Sequence, residues 1–335
     1  MNLRPTEAEK EPEVRVRFLI ASTLDPLALD GPNVVANLRR TPKQISSVYV
    51  YDRVGTRLFE RQCETPEYYL RRVEAQLLRS HAAEIVARCG AIPIVELGAG
   101  TADKTRILFA EYQSRGARCD YFPIDVDTHT LATAAHRLTS QFPNLFVHCL
   151  GTTYGEGLRA LNAHPQHKLF LFLGSSIGNM ETRDIEELLA DLSRNSARGD
   201  HLVLGADLHK DPAIIDKAYN DSAGYGARSA LNALSHLNRR HGANFDLDRF
   251  RYLSKYDAVA MRNEVRFESL VDQTVTLANL GFTVSFAASE LIDAEVMWKF
   301  DPDALCALLS HAGWEEAERW IDPIYRYGVF RLRRR

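Results

Sequence analysis

The chain has 335 residues, 45% of them hydrophobic and 25% charged, which is the composition of a folded globular protein rather than a disordered one. Its 41 basic and 44 acidic residues leave a formal net charge of −3, so no general positive field attracts a nucleic acid. Five scattered cysteines without a CxxC pair indicate neither a disulfide framework nor a zinc site, and no metal is expected.

The N-terminal residues 1–15 are charged and are predicted to be flexible. They lack the apolar core of a signal peptide, and no apolar run in the chain reaches membrane-spanning length. We therefore expect a cytoplasmic protein without a membrane partner, and one that acts as a monomer.

Between residues 92 and 206, short apolar segments alternate with segments of helical spacing. The predicted strands are 92–97, 121–124, 145–150, 169–173 and 201–206, and the predicted helices are 104–113, 131–142 and 185–192. Apolar strands that alternate with helices predict an α/β fold, in which a parallel sheet is covered by helices on both faces.

The pattern changes after Asp207. Residues 211–245 have helical spacing, and polar and apolar residues alternate from 264 to 299, which is typical of an antiparallel sheet with one exposed face. A helix at 301–313 and a strand at 325–332 return to the earlier pattern. We therefore predict a main domain of residues 76–210 and 301–335. We also predict a second α+β lobe, formed by the insertion 211–300 and the N-terminal segment 16–75. A ligand cleft is expected between the main domain and this lobe.

A glycine-rich turn follows the first predicted strand of the main domain. Gly98 and Gly100 let the backbone approach a ligand closely, and the start of the next helix supplies free N–H groups. Asp125, at the end of the second predicted strand, can accept both hydroxyls of an adenosine ribose. This pattern also describes a nicotinamide dinucleotide site or a purely structural turn.

The acidic residues around this turn favour one ligand over the others. A dinucleotide fingerprint requires glycine or alanine where Asp103 stands, and Glu96 and Asp103 would repel a pyrophosphate. S-adenosylmethionine carries a positive sulfonium and no phosphate, so acidic neighbours suit it. The sequence therefore favours S-adenosylmethionine as the cofactor.

Seven stretches of the chain, in a fixed order, carry a family resemblance. They are residues 51–55 (YDRVG), 65–69 (TPEYY), 96–105 (ELGAGTADKT), 124–127 (IDVD), 172–179 (FLGSSIGN), 218–221 (AYND) and 295–300 (EVMWKF). In these stretches the chain resembles the histidine-specific Nα-methyltransferases of ergothioneine biosynthesis, from about residue 45 to the C-terminus. The resemblance implies a class I methyltransferase fold, a Rossmann-like doubly wound sheet that carries a small substrate-binding lobe.

The resemblance also implies an activity and a set of site residues. The α-amino group of a free amino acid would accept methyl groups from S-adenosylmethionine, up to a trimethylated betaine. The implied cofactor-binding residues are Tyr68, Gly98, Gly100, Lys104 and Asp125, together with Thr153 and Tyr154 in a loop where relatives carry an acidic residue near the adenine. In the acceptor site, Asn179 and Tyr219 would hold the substrate carboxylate beside Tyr68. Tyr51 would lie near the reacting amine and act as the catalytic residue, and Glu295 would bind the side chain.

Departures from the family concentrate around the expected side-chain pocket. Met297 stands where relatives have serine, Val265 where they often have methionine, and Ser229 and Ala230 where they have phenylalanine and asparagine. The expected substrate is an aromatic amino acid, L-histidine first, with tryptophan or tyrosine as the alternative.

Two other functional classes share this sheet. A nucleic-acid or protein methyltransferase would show a basic face or a base-reading motif, which the sequence lacks. A non-catalytic S-adenosylmethionine-binding regulator would have lost the acceptor residues, whereas Tyr51, Asn179 and Tyr219 are all present.

Overall fold

The computed structural model describes residues 14–21, 27–162 and 166–335. The predicted flexible segment 1–15 lies outside these residues, apart from its last two positions. None of the helices in the described ranges is long and apolar enough to cross a membrane.

Fourteen strands and ten helices form within the described ranges. The strands are β1 (Val16–Ala21), β2 (Lys43–Gln44), β3 (Ile94–Leu97), β4 (Cys119–Asp125), β5 (Leu145–Gly151), β6 (Leu169–Phe172), β7 (His201–Asp207), β8 (Phe250–Asp257), β9 (Arg262–Ser269), β10 (Gln273–Leu277), β11 (Phe282–Phe286), β12 (Leu291–Trp298), β13 (Trp314–Ile321) and β14 (Tyr327–Arg334). The helices are α1 (Gly31–Leu38), α2 (Arg53–Cys63), α3 (Leu70–Cys89), α4 (Arg106–Ser114), α5 (Thr128–Gln141), α6 (Tyr154–Ala160), α7 (Thr182–Arg194), α8 (Pro212–Tyr219), α9 (Tyr225–His241) and α10 (Pro302–His311).

An eight-stranded sheet forms the centre of the molecule, in the order β1-β5-β4-β3-β6-β7-β14-β13. The first six strands are parallel, whereas β14 and β13 pair in antiparallel fashion. β3, β6 and β7 are buried along their whole length, as continuous apolar runs covered on both faces must be. The sheet confirms the predicted α/β, doubly wound fold.

Two hydrophobic clusters lie on opposite faces of this sheet, because successive residues of a strand point to opposite sides. Ile94 belongs to one cluster with residues of α3, α4 and α5. Its neighbour Val95 belongs to the other, with residues of α6, α7 and α10. Helices therefore cover both faces, and the loops at the carboxyl ends of the strands are left free to build a site.

A smaller sheet has four strands in the order β2-β12-β9-β8. Three of them, β8, β9 and β12, follow β7 in the chain, as do α8, α9 and the hairpin of β10 and β11. β2 pairs with β12, so the N-terminal segment contributes to this second sheet. The segment 16–75 does not belong to it as a whole, however, because β1 pairs with β5 at the edge of the main sheet. The division into a main domain and an inserted lobe otherwise stays a prediction.

Candidate active site

A cavity of about 660 Å³ opens between the carboxyl ends of the main-sheet strands and the smaller sheet. The loop after β3, the end of β4 and the loop after β6 form one wall. α2, α9 and strands β9 and β12 contribute the other. Of the site residues predicted from the sequence, twelve line this cavity: Tyr51, Tyr68, Gly98, Gly100, Lys104, Asp125, Tyr154, Asn179, Tyr219, Val265, Glu295 and Met297.

The glycine turn after β3 adopts a backbone that side chains disfavour. Gly98 and Gly100 have φ values of +67° and +49°. A Cβ atom at Gly98 would lie 2.7 Å from the Tyr154 hydroxyl oxygen, so the absence of a side chain allows Tyr154 to close over the turn. Thr153, by contrast, is exposed ahead of α6, and it alone of the predicted site residues, all of which are described, is not part of the cavity wall.

Asp125 ties this turn to the end of β4. Its carboxylate accepts hydrogen bonds from the backbone N–H groups of Gly100, at 2.9 Å, and Asp127, at 3.0 Å. Burial raises the pKa of Asp125, although these hydrogen bonds oppose the rise. A ligand that carries a positive charge or hydroxyl groups would offset the free-energy cost of burying this carboxylate.

A second buried carboxylate lies at the same turn. Glu96, which is 3% exposed, accepts hydrogen bonds from the hydroxyls of Thr105, at 2.7 Å, and Tyr121. Burial raises the pKa of Glu96 to about 7. Glu96 and Asp125 give this part of the cavity two carboxyl groups, which suits a positively charged sulfonium. Asp103 also lines the cavity, but it pairs with the guanidinium groups of Arg71 and Arg137, so the repulsion of a pyrophosphate expected from it is not supported.

Lys104 is held by a buried partner. Glu74, which is fully buried, forms an ion pair with the Lys104 ammonium and accepts the backbone N–H of Gly174 at 2.7 Å. Glu74 thereby connects the loop after β3, which contains Lys104, to the loop after β6, which contains Gly174. The position of Lys104 is set by this bridge.

Tyr51 is positioned by the start of α2. Asp52 caps this helix by accepting the N–H groups of Val54, at 2.9 Å, and Gly55, at 2.8 Å, and the Asn232 amide donates to the same carboxylate at 2.7 Å. Desolvation of the hydroxyl by the neighbouring protein raises the pKa of Tyr51, and the nearby Glu295 carboxylate raises it further. Tyr51 therefore remains a neutral phenol. The residue is 49% exposed and borders the cavity.

Four aromatic rings follow one another along the cavity wall in edge-to-face contact. Ring centroids lie 6.1 Å apart for Tyr51 and Phe59, 5.8 Å for Phe59 and Tyr68, and 6.1 Å for Tyr68 and Tyr219. Burial raises the pKa of both Tyr68 and Tyr219. The three phenols are therefore hydrogen-bond donors at neutral pH, within a wall that also offers aromatic faces.

Asn179 ends the short 3₁₀ turn Ser176–Asn179 after β6. Ser175, which precedes it with φ of 56°, accepts the backbone N–H of Asp207 through its hydroxyl at 2.9 Å. A Cβ atom at Gly178 would lie 2.7 Å from the Trp298 carbonyl oxygen, so this turn packs directly against β12. The packing leaves Asn179 exposed at the cavity.

Glu295 and Met297 on β12 and Val265 on β9 line the other end of the cavity. The Oε1 atom of Glu295 is shielded from solvent and has no hydrogen-bond partner among the described residues. Burial raises the pKa of Glu295 to about 7. An acceptor left unsatisfied in this way costs about 1–3 kcal/mol.

Sequence reasoning missed several residues of the wall. They include Phe59, Tyr252 and Lys299. Lys299 lies within the stretch EVMWKF that carries the family resemblance, so a signal existed for it, although its contacts with other parts of the chain were not visible.

Comparisons with known proteins agree with this geometry. The family described as "Histidine-specific methyltransferase, SAM-dependent" matches residues 30–334. The histidine N-alpha-methyltransferase of Mycolicibacterium smegmatis is 36% identical, over 89% of this chain and 92% of the relative. That of Mycobacterium tuberculosis is 34% identical over the same shares. The L-tryptophan methyltransferase of Psilocybe serbica is 23% identical, over 87% of this chain and 88% of the relative.

The match covers nearly the whole chain and both sides of the cavity. S-adenosylmethionine is the cofactor of the family, and the glycine turn with Asp125 at the end of β4 fits that cofactor. The chain therefore belongs to the histidine-specific, S-adenosylmethionine-dependent methyltransferases.

Proposed function

We propose that this methyltransferase acts on the α-amino group of a free aromatic amino acid, with L-histidine as the first candidate. The two relatives with 36% and 34% identity are histidine N-alpha-methyltransferases, which supports this acceptor. The observation that carries the proposal is the position of Glu295, an acceptor for a donor on a side chain, in the wall of the cavity that also contains the cofactor turn.

The distribution of polar groups in the cavity matches the polarity of an amino acid. The Asn179 amide and the Tyr219 hydroxyl offer donors for a carboxylate, and Tyr68 lies beside them. Glu295 offers an acceptor for an N–H or O–H group on the side chain. A substrate held at both ends would place its amino group between them, beside Tyr51.

The cofactor supplies an electrophilic methyl group, and the residues of the chain position the amine that attacks it. The amine must be neutral to attack, and a nearby positive charge favours loss of its proton. Because its pKa is raised, Tyr51 cannot accept this proton and instead orients the amine through its hydroxyl. Water then carries the proton away.

Tryptophan or tyrosine is the second candidate substrate. Met297, which is 7% exposed, offers no hydrogen bond beside Glu295, and the hydroxyl of Ser229 is directed at the Gly55 carbonyl at 3.3 Å. Histidine has two ring nitrogens to satisfy, whereas tryptophan and tyrosine each bring one polar hydrogen, which Glu295 can accept. The similarity to an L-tryptophan methyltransferase also supports this alternative.

A labelled-methyl assay with L-histidine, L-tryptophan and L-tyrosine tests the proposal, and mass spectrometry counts the methyl groups transferred. We expect transfer to at least one of the three, up to the betaine. If the protein binds S-adenosylmethionine in calorimetry but transfers methyl groups to none of them, the acceptor assignment is wrong. The monomeric state and the cytoplasmic location remain predictions, and sedimentation tests the first.

A further inference from the structure

A buried ionic cluster lies behind the substrate side of the cavity. Asp207, at the end of β7, is fully buried and accepts a hydrogen bond from the Tyr69 hydroxyl at 2.8 Å. Its carboxylate also pairs with the ammonium groups of Lys210 and Lys299, which are 7% and 2% exposed. Two lysines thus share one carboxylate in a region closed to water.

The two lysines have different second partners. Lys210 pairs with Oδ1 of Asp207 and donates to the Tyr69 hydroxyl at 2.7 Å. Lys299 lies 2.9 Å from Oδ2 and donates to the Tyr219 hydroxyl oxygen at 2.8 Å. Lys299 and Tyr219 line the cavity, whereas Lys210 is not part of its wall. Only one of the two cations in this cluster therefore touches the substrate side.

The contact between Lys299 and Tyr219 determines the direction of the Tyr219 hydroxyl. A tyrosine hydroxyl has one hydrogen, and an ammonium group can only donate. Since Lys299 already donates to the Tyr219 oxygen, the hydrogen of Tyr219 must point elsewhere. Burial lowers the pKa of Lys299, but Asp207 and Tyr219 outweigh this effect and raise it, so the ammonium stays charged.

We infer that Lys299 is a positioning residue that fixes the Tyr219 hydroxyl as a hydrogen-bond donor to the substrate carboxylate. The inference rests on the proposed function, which gives Tyr219 that carboxylate. Lys299 follows directly on β12, which also carries Glu295 and Met297. One strand thereby connects the recognition of the side chain with the recognition of the carboxylate.

The variants Lys299→Met and Lys210→Met provide a matched pair, because each removes one cation from Asp207 and leaves the other. L-Histidine, L-tryptophan or L-tyrosine serves as the substrate, whichever the wild type methylates fastest. We expect Lys299→Met to raise the KM for the amino acid about tenfold or more, the scale of a lost charge-assisted hydrogen bond, with a smaller change in kcat. Lys210→Met should change the KM by less than about threefold, and both should bind S-adenosylmethionine as the wild type does.

A double-mutant cycle separates positioning from a general structural effect. Tyr219→Phe should raise the KM to a similar extent, and adding Lys299→Met to it should have little further effect, because both changes remove one interaction. The amide of the same amino acid should react equally poorly with wild type and Lys299→Met. If Lys299→Met does not fold, Lys299→Arg provides a second test. It keeps a positive charge beside Asp207, but the wider guanidinium displaces the N–H group that donates to Tyr219, so it should raise the KM as well.

Four outcomes would overturn the inference. Effects of Lys299→Met and Tyr219→Phe that multiply in the double variant would show that Lys299 acts independently of Tyr219. An equal rise in KM for Lys210→Met would assign the effect to the charge of the whole cluster. If Tyr219→Phe alone leaves the KM unchanged, the carboxylate role proposed for Tyr219 fails, and the inference fails with it. If Tyr219→Phe raises the KM and Lys299→Met does not, only the inference fails.

Discussion

Glu295 and Val265 stand directly opposite each other on the antiparallel strands β12 and β9, and both line the cavity. The nearest cross-strand neighbour of Glu295 is therefore an apolar residue. Met297 lies two residues further along the same strand and on the same face. Glu295 consequently has two apolar neighbours on the sheet, Val265 and Met297, while the phenols of Tyr51, Tyr219 and Tyr252 lie near its carboxylate on the cavity side.

The first prediction concerns the stability of the protein without ligands. The pKa of Glu295 is raised from its ordinary value of 4.5 to about 7, so the folded protein binds a proton more tightly than the unfolded chain. The contribution of Glu295 to stability is therefore present below pH 4.5 and is lost as the pH rises towards 7. Glu295→Gln should exceed the wild type in free energy of unfolding at pH 8 by about 1–3 kcal/mol.

Urea unfolding of both proteins between pH 4.5 and pH 8 measures this difference. It should shrink towards zero at the acidic end. Glu315→Gln, an exposed change on the edge strand β13, is the control and should stay within about 0.5 kcal/mol of the wild type. A Glu295→Gln variant that is no more stable than wild type at pH 8 would show that the carboxylate is not unpaired in solution.

The second prediction concerns the cofactor. Asp125→Ala should weaken S-adenosylmethionine binding by about 1.5–3 kcal/mol, because a buried carboxylate acceptor is lost at the end of β4. Asp125→Asn should have a smaller effect, since its amide oxygen can still accept the N–H of Gly100. Asp120→Ala, on the same strand but paired with Arg118 and His148 outside the cavity wall, is the control. Calorimetry measures all three, and unchanged affinity in Asp125→Ala would remove Asp125 from the cofactor site.

The third prediction concerns the substrate carboxylate. Asn179→Ala should raise the KM for the amino acid about tenfold, while the Kd for S-adenosylmethionine changes little, because the amide is used in the ground state and the transition state alike. Asn220→Ala provides the control, since this exposed asparagine beside Tyr219 donates to the Asp216 carbonyl and does not line the cavity. The wild type should methylate an amino-acid amide poorly. An amide that reacts as well as the free acid would contradict the assignment.

The main fold could be predicted because its central strands are continuous apolar runs. The sequence did not predict β1, β8 and β13, and all three lie at the edges of their sheets. Edge strands are half-exposed and carry polar residues, as the sequence WEEAERWI of β13 illustrates, so the apolar signal is weak. The position of β1 in the main sheet also depends on a pairing with β5 that lies far away in the chain.

Residues of the site could be predicted where they belong to a local motif, as Gly98 and Asp125 do. The cluster of Asp207, Lys210 and Lys299 could not, because its members are brought together only by the meeting of β7 with the end of β12. A lysine near an aromatic residue in the sequence is ordinarily a surface residue. The burial of Lys299 beside Tyr219 is a property of the tertiary structure.

The last prediction concerns the choice of side chain. If histidine binds with one ring nitrogen at Glu295 and the other towards Met297 and Val265, this second nitrogen meets only apolar side chains. An unpartnered buried nitrogen costs about 1–3 kcal/mol, which corresponds to a loss of roughly five- to 150-fold in kcat/KM. Tryptophan and tyrosine do not incur this cost, so the pocket changes favour them, whereas the named relatives favour histidine.

Met297→Ser separates these two influences, because it introduces a hydroxyl where the second ring nitrogen of histidine would lie. We expect the ratio of kcat/KM for L-histidine to that for L-tryptophan, and to that for L-tyrosine, to rise several-fold in this variant. Met297→Leu is the matched control, since it keeps an apolar side chain of similar volume and should leave the ratios unchanged. Equal ratios in wild type, Met297→Ser and Met297→Leu would mean that Met297 does not contact the substrate side chain. The assignment of this end of the cavity to side-chain recognition would then be wrong.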